Sequence, residues 1–195
     1  GQSIDFFLGI NPNAKITAFE PNKKLFHFLE EKYFRNANIN LNNLGVSNTN
    51  GELEFHENIL DETSTFESLN LESKYLEKKA KVLGVTKESI IVDKYKVAVI
   101  TLSEFFKSND NSSFDVLKID VEGHELQVLE GLFSNGNQYK IRLIQLESHN
   151  DDMYLSNSKH EDIDQLLNKN GYFEIAKIKH GFGDFAEIIY EYKNK

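Results

Sequence analysis

The chain has 195 residues, of which 39% are apolar and 27% charged, and its 15 Phe and 8 Tyr supply material for the core of one α/β domain. A formal net charge of -9 opposes binding to polyphosphate backbones, and no basic arm of the kind that reads nucleic acid is present. No run approaches the roughly 20 consecutive apolar residues of a membrane span, and the absence of Cys excludes disulfides and thiolate metal sites and fits a reducing cytoplasm.

Taken in chain order, Gln2 to Ile10 reads as a helix with Ile4, Phe7 and Leu8 on one stripe, ended by Asn11-Pro12-Asn13. Ile16 to Phe19 is a short apolar run of strand type that stops at Glu20-Pro21. A helix is predicted from about Asn22, its cap, to Phe34, with Leu25, Phe28, Leu29 and Lys32 stacked. Ile39 and Leu41 alternate with Asn40 and Asn42, as in a half-exposed strand. Asn50-Gly51 ahead of Leu53 and Phe55 reads as a hairpin turn.

Residues 58 to 89 are polar, with a helix predicted from about Leu71 to Leu83 and stopped by Gly84. They are expected to be an insertion, either a lid over the site or a surface excursion. Within it, Lys78, Lys79 and Lys81 read as a solvated helix face. Tyr95, Val97 and Val99 mark the next strand, and Thr101 with Glu104 is a capping-box pattern opening a short helix. A buried strand is predicted at Asp115 to Ile119, a helix at Glu125 to Leu132 and a strand at Leu143 to Leu146. A helix around Ile163 to Leu167 closes at Asn170-Gly171. Two strands, about Phe173 to Lys179 and Phe185 to Tyr192, flank Gly181-Phe182-Gly183-Asp184 as a hairpin. The expectation is one domain over 1–195, built on a mostly parallel sheet with an antiparallel hairpin at its end and helices on both faces.

In open α/β sheets ligands bind beyond the carboxyl ends of the strands. Four polar clusters stand there: Glu20, Asn43 to Val46, Asp120 to His124, and Glu147 to His149. An acidic residue such as Glu20 at a strand end suits the two hydroxyls of a ribose. The densest cluster is Lys118-Ile119-Asp120-Val121-Glu122-Gly123-His124-Glu125, where an apolar strand runs into carboxylates, a glycine and a histidine. Gly123 permits a tight strand-to-helix turn, and His124 is of the residue type suited to proton abstraction near neutrality. A bland alternative leaves Asp120 and Glu122 as turn residues and His124 as an exposed side chain.

The segment from Lys118 to Glu125, followed by Val128-Leu129-Glu130-Gly131, closely resembles the signature of FkbM-family methyltransferases. Ala18-Phe19-Glu20-Pro21-Asn22, Asn43-Leu44-Gly45-Val46-Ser47-Asn48, Val99 to Phe105, Ile144 to Glu147 and Asn170-Gly171-Tyr172 fall into line with it, although Ser103 stands where an Asp is more usual. The resemblance spans nearly the whole chain outside 58 to 89. It implies a Rossmann-like class I methyltransferase fold that binds S-adenosyl-L-methionine. It also implies roles: Glu20, with Asn22 beside it, on the ribose; Gly45 and Val46, with Asn43 nearby, on the adenine; and Asp120 near the methionine end. Glu122, His124, Glu147 and His149 would face the acceptor, with the base among them left open. Gly1 looks like the last glycine of the family's opening glycine-rich turn. The first strand, expected between those ending at Glu20 and Asp120, would then lie upstream, and a chain without it is expected to fold poorly and lack activity.

The expected reaction is O-methylation of a hydroxyl on a sugar or other small molecule or glycan. An NAD-dependent Rossmann oxidoreductase, which Glu20 would suit equally, and a non-catalytic binding module are the alternatives. No metal site is expected: His27, His56, His160 and His180 lack ligand spacing, and a carboxylate-bound Mg²⁺ between Asp120 and Glu147 is the alternative set aside. No nucleic-acid or membrane partner is expected, and the sequence leaves the oligomeric state open.

Overall fold

The computed structural model describes residues 1–109, 113–149, 151–155, 159–180 and 185–193, without the side chains of Glu62, His149, His180 and Phe185. They form a mixed α/β structure of two compact units, Gly1–Gly45 and Val46–Lys195.

The first unit follows the sequence reading closely. It holds α1 (Gln2–Ile10), β1 (Ile16–Phe19), α2 (Lys23–Tyr33) and β2 (Ile39–Asn42), with β1 and β2 parallel and Ile16 opposite Ile39. Asn22 caps α2 as expected, its Oδ1 accepting the N–H groups of Lys24 (3.0 Å) and Leu25 (3.3 Å). The buried stripe is Ile4, Leu29 and Tyr33, packed by Leu8, Ile16 and Leu41. Phe28, expected in that stripe, is exposed instead. A stripe of residues 25, 29 and 33 keeps a strict spacing of four, which turns position 28 to the edge of the apolar face.

Strand β3 (Gly45–Val46) ends at the second unit, where Ser47 N–H donates to the Ile100 carbonyl at 3.1 Å. Here β4 (Gly51–Asn58) pairs antiparallel with β5 (Ile91–Ile100), Phe55 opposite Tyr95, in a sheet ordered β3-β5-β4. The expected hairpin at Asn50-Gly51 is therefore not formed: β5 lies between the strands on either side of that turn. The Asn50 side chain accepts the Thr101 N–H at 2.8 Å, so the turn is tied to the end of β5 rather than closed on itself.

Between β4 and β5 the chain makes a 3-10 turn (Asp61–Thr63) and helix α3 (Lys74–Leu83), capped by Ser73 and ended by Gly84 at φ 71°. This stretch builds its own core from Leu69, Leu76, Ala80 and Ile90 with Met153 and Tyr154, a packed platform rather than a bare surface excursion.

The remainder holds α4 (Leu102–Ser108), β6 (Ser113–Ile119), α5 (Glu125–Phe133), β7 (Lys140–His149), α6 (His160–Lys169), β8 (Tyr172–His180) and β9 (Phe185–Tyr192). Thr101 caps α4 by accepting the Glu104 N–H at 3.2 Å. The sheet order is β6-β7-β9-β8, with β6 and β7 parallel and both contacts of β9 antiparallel. The strand arrangement is thus mixed rather than mostly parallel, because β9 inserts between β7 and β8. Strand β6, expected to be buried, stands at the edge of this sheet and leaves Val116 exposed. The turn expected at residues 181 to 184 lies outside the described residues. No described helix is long and apolar enough to cross a membrane.

Candidate functional site

The second unit folds the segment from Asp120 to Glu125 into a turn that joins β6 to α5. Glu122 has φ 53° and Gly123 φ 95°, two consecutive left-handed residues that reverse the backbone within one turn. A glycine takes this conformation at little cost, whereas a glutamate pays a steric penalty. Glu125 is buried and turns its carboxylate back to accept the N–H of Gly123 at 3.1 Å and of Val121 at 3.4 Å. An acidic side chain there also complements the positive end of α5.

Two neighbours hold Glu122 from outside the turn. The Thr65 hydroxyl donates to its carbonyl at 2.8 Å, and the Tyr154 hydroxyl donates to its Oε2 at 2.8 Å. The same Thr65 oxygen accepts the Glu67 N–H at 3.0 Å, so one hydroxyl links two segments. Burial and the nearby Glu122 carboxylate push the Tyr154 hydroxyl far above the ordinary tyrosine range, which keeps it a donor.

The structure turns His124 inward. It is 5% exposed, with Nδ1 at 2.6 Å from Glu67 Oε1 and Nε2 at 2.9 Å from Ser47 Oγ. A carboxylate only accepts, so Nδ1 donates to Glu67, while Nε2 is paired with the Ser47 hydroxyl. A base for an acceptor substrate needs a nitrogen open to that substrate. Both of His124's are committed to interior partners, so the side chain ties three segments together. Phe66 lies over its ring at a centroid distance of 5.2 Å.

Asp120, Glu122 and Glu147 do converge. One carboxylate oxygen from each lies within 4.8 Å of the others. Asp120 is partly exposed and paired with Lys118 Nζ at 2.6 Å. Three acidic groups at this separation would accept hydrogen bonds from hydroxyls, take a proton, or attract a cation. A second group, His160, Asp164 and Glu174, shares the same spacing on α6 and β8. His149 closes β7, but its side chain lies outside what the structure describes.

In the first unit Glu20 follows β1, its Oε1 accepting the Asn22 N–H at 2.9 Å. Asn22 Nδ2 is a buried donor with no partner among the described residues. An acceptor and an unpaired donor at one strand end match a ribose, whose hydroxyls both donate and accept. Asn43 locks the same strand ends, its Nδ2 donating to the carbonyls of Glu20 (2.8 Å) and Pro21 (3.4 Å). The Gly1 carbonyl accepts the Tyr33 hydroxyl at 3.1 Å, and a Cβ on Gly1 would sit 2.9 Å from Leu29. Gly45 and Val46 are buried.

The family model for the methyltransferase FkbM domain matches residues 5–173. The chain belongs to the FkbM methyltransferase family. No curated protein and no solved structure matches it. The acidic turn of this FkbM methyltransferase is held by Ser47, Thr65, Glu67 and Tyr154, of which Thr65, Glu67 and Tyr154 carry no local sequence signal. Ser47 and Glu67 stand 77 and 57 residues from His124, and the segment of Thr65 and Glu67 is held to β4 by the backbone bridge between His56 and Thr65. A weak hint was available in Ser47, which directly follows the Gly45-Val46 segment.

Proposed function

We propose that this FkbM-family chain is an S-adenosyl-L-methionine-dependent O-methyltransferase acting on a hydroxyl of a sugar or other small molecule. The convergence of Asp120, Glu122 and Glu147 within 4.8 Å carries this reading. When bound, S-adenosyl-L-methionine supplies a methyl group on a positively charged sulfur. Glu20 would accept hydrogen bonds from the ribose hydroxyls, with Asn22 as the nearby donor. Asp120, Glu122 and Glu147 would orient an acceptor hydroxyl through its O–H and take up its proton as the new O–CH₃ bond forms and the bond from sulfur to methyl breaks. Alignment supplies most of the rate, since fixing reactants in line replaces a bimolecular encounter, and a carboxylate base adds to it. His124 contributes by fixing the turn that carries Asp120 and Glu122. A negatively charged rim favours neutral polyhydroxylated acceptors over phosphorylated ones.

Calorimetric titration of S-adenosylhomocysteine and of NAD⁺ into the full-length protein tests this directly. Binding of the first alone, followed by methyl transfer from S-adenosylmethionine to one of a panel of monosaccharides and glycosides, supports the proposal. Binding of NAD⁺ without S-adenosylhomocysteine overturns it.

A further inference from the structure

Glu122 is the one described non-glycine residue with a positive φ. A glutamate keeps that conformation only where its surroundings over-determine it, and such residues cluster at functional sites. Three contacts do so here. Thr65 holds its carbonyl and Tyr154 holds its carboxylate, each at 2.8 Å. The Tyr154 ring also covers Gly123 so closely that a Cβ there would lie 2.7 Å from the ring's Cδ2.

Tyr154 is itself firmly seated. Its side chain is buried among Leu69, Leu76, Ala80 and Met153. Its backbone bridges to Leu69, and on either side Asn70 N–H donates to the Met153 carbonyl at 2.8 Å and Leu155 N–H to the Ser68 carbonyl at 2.9 Å. The stretch between β4 and β5 thus packs around Tyr154, whose hydroxyl ends on the acidic group.

We infer that Tyr154 is a positioning residue that aims the Glu122 carboxylate toward Asp120 and Glu147, and that the 58–89 stretch is the foundation of the acceptor side of the site. This rests on the proposal that those carboxylates face the acceptor. Tyr154 acts through Glu122, to whose carboxylate its hydroxyl donates.

The test uses the full-length protein and the variants Tyr154→Phe, Glu122→Gln and the two together. Phe keeps the ring over Gly123 and removes only the hydroxyl. A hydrogen bond to a charged group is lost, so kcat on the best acceptor of the panel is expected to fall about tenfold or more. S-adenosylhomocysteine affinity and Tm should stay near those of the wild type. Adding Tyr154→Phe to Glu122→Gln should cost nothing further, since one acts through the other. Crystal structures of wild type and Tyr154→Phe should show the Glu122 carboxylate turned away from Glu147 in the variant. An unchanged kcat, fully additive losses, or an unmoved Glu122 side chain would each overturn the inference. If the wild type methylates no acceptor, the methyltransferase reading fails, while the pair of crystal structures still decides whether Tyr154 holds Glu122.

Discussion

Gly131 on α5 lies against the backbone of Ser47 so closely that a Cβ built on it would sit 2.1 Å from the Ser47 carbonyl oxygen. No rotamer relieves that contact, because the obstruction is main chain. Gly131→Ala is therefore expected to push α5 away from Ser47, destabilising the protein by about 3 kcal/mol, the upper part of the range for overpacked interiors. It should also stretch the bond between Ser47 and His124. Urea unfolding followed by circular dichroism would read the loss, and a variant as stable as the wild type would contradict this packing.

His124 and Glu67 form a buried pair at 2.6 Å. Glu67→Gln keeps the shape and removes the charged acceptor, with an expected loss of about 1–3 kcal/mol in unfolding free energy. His124→Ala should cost a similar amount, and the double variant should fall short of the sum by about 1 kcal/mol or more, as for residues in direct contact. A double-mutant cycle in urea measures this. If His124 were instead an acceptor-facing base, Glu67→Gln would change the pH profile of turnover with little loss of stability.

Glu20→Ala removes the acceptor proposed for the ribose while leaving Asn22 to cap α2. S-adenosylhomocysteine affinity is expected to fall by about tenfold or more, the scale of a lost hydrogen bond to a charged group. Thermal midpoints should shift little, since Glu20 is only half-buried. Unaltered affinity by calorimetry would remove Glu20 from the cofactor site.

Glu147→Gln, beside Asp120 and Glu122, removes a proton acceptor without changing volume. A drop in kcat of about 10² is expected if it is the base, the lower end of the range for general-base catalysis, with S-adenosylhomocysteine binding intact. Equal losses on Glu122→Gln and Glu147→Gln would mean that the cluster shares the task.

Alkaline pH should weaken the fold through its interior tyrosines. Tyr172 is fully buried, donates to the Ile141 carbonyl at 3.0 Å, and has its hydroxyl pushed up to about 12 by burial. Burial and the Asp164 carboxylate likewise push Tyr190 up. In the unfolded chain these phenols ionise near 10. Above that pH the unfolded state binds fewer protons than the folded one, so stability is full below about pH 10 and declines as pH rises through the folded value. Unfolding at pH 9 and pH 11 should show this fall, and Tyr172→Phe should flatten it.

Local chemistry explains why much of the helical content could be read in advance. Asn22, Ser73 and Thr101 each place a side-chain oxygen on an N–H of the first turn, and Gly84 takes the left-handed residue that ends α3. Such signals act within four residues and survive in any context. Pairing decisions act over longer range and leave no such mark. Nothing near Asn50 tells that β5, some forty residues on, will occupy the place beside β3. The acidic turn was visible as composition, yet the inward aim of His124 depends on Glu67, which lies in a stretch with no apolar periodicity to place it.

Strand β8 is the outer member of its sheet, and the neighbour it is bonded to is β9, which follows it in the chain. During synthesis, β6 and β7 can pair as soon as both have left the ribosome, but β8 has to wait for β9 to emerge and slide in beside β7. For that interval the backbone of Tyr172 to His180 has no hydrogen-bonding neighbour, which exposes a nascent chain to pairing with other molecules. Yield in the cell should therefore respond to chaperone supply and to translation rate over the last codons before Phe185, even for variants whose finished fold is as stable as the parent.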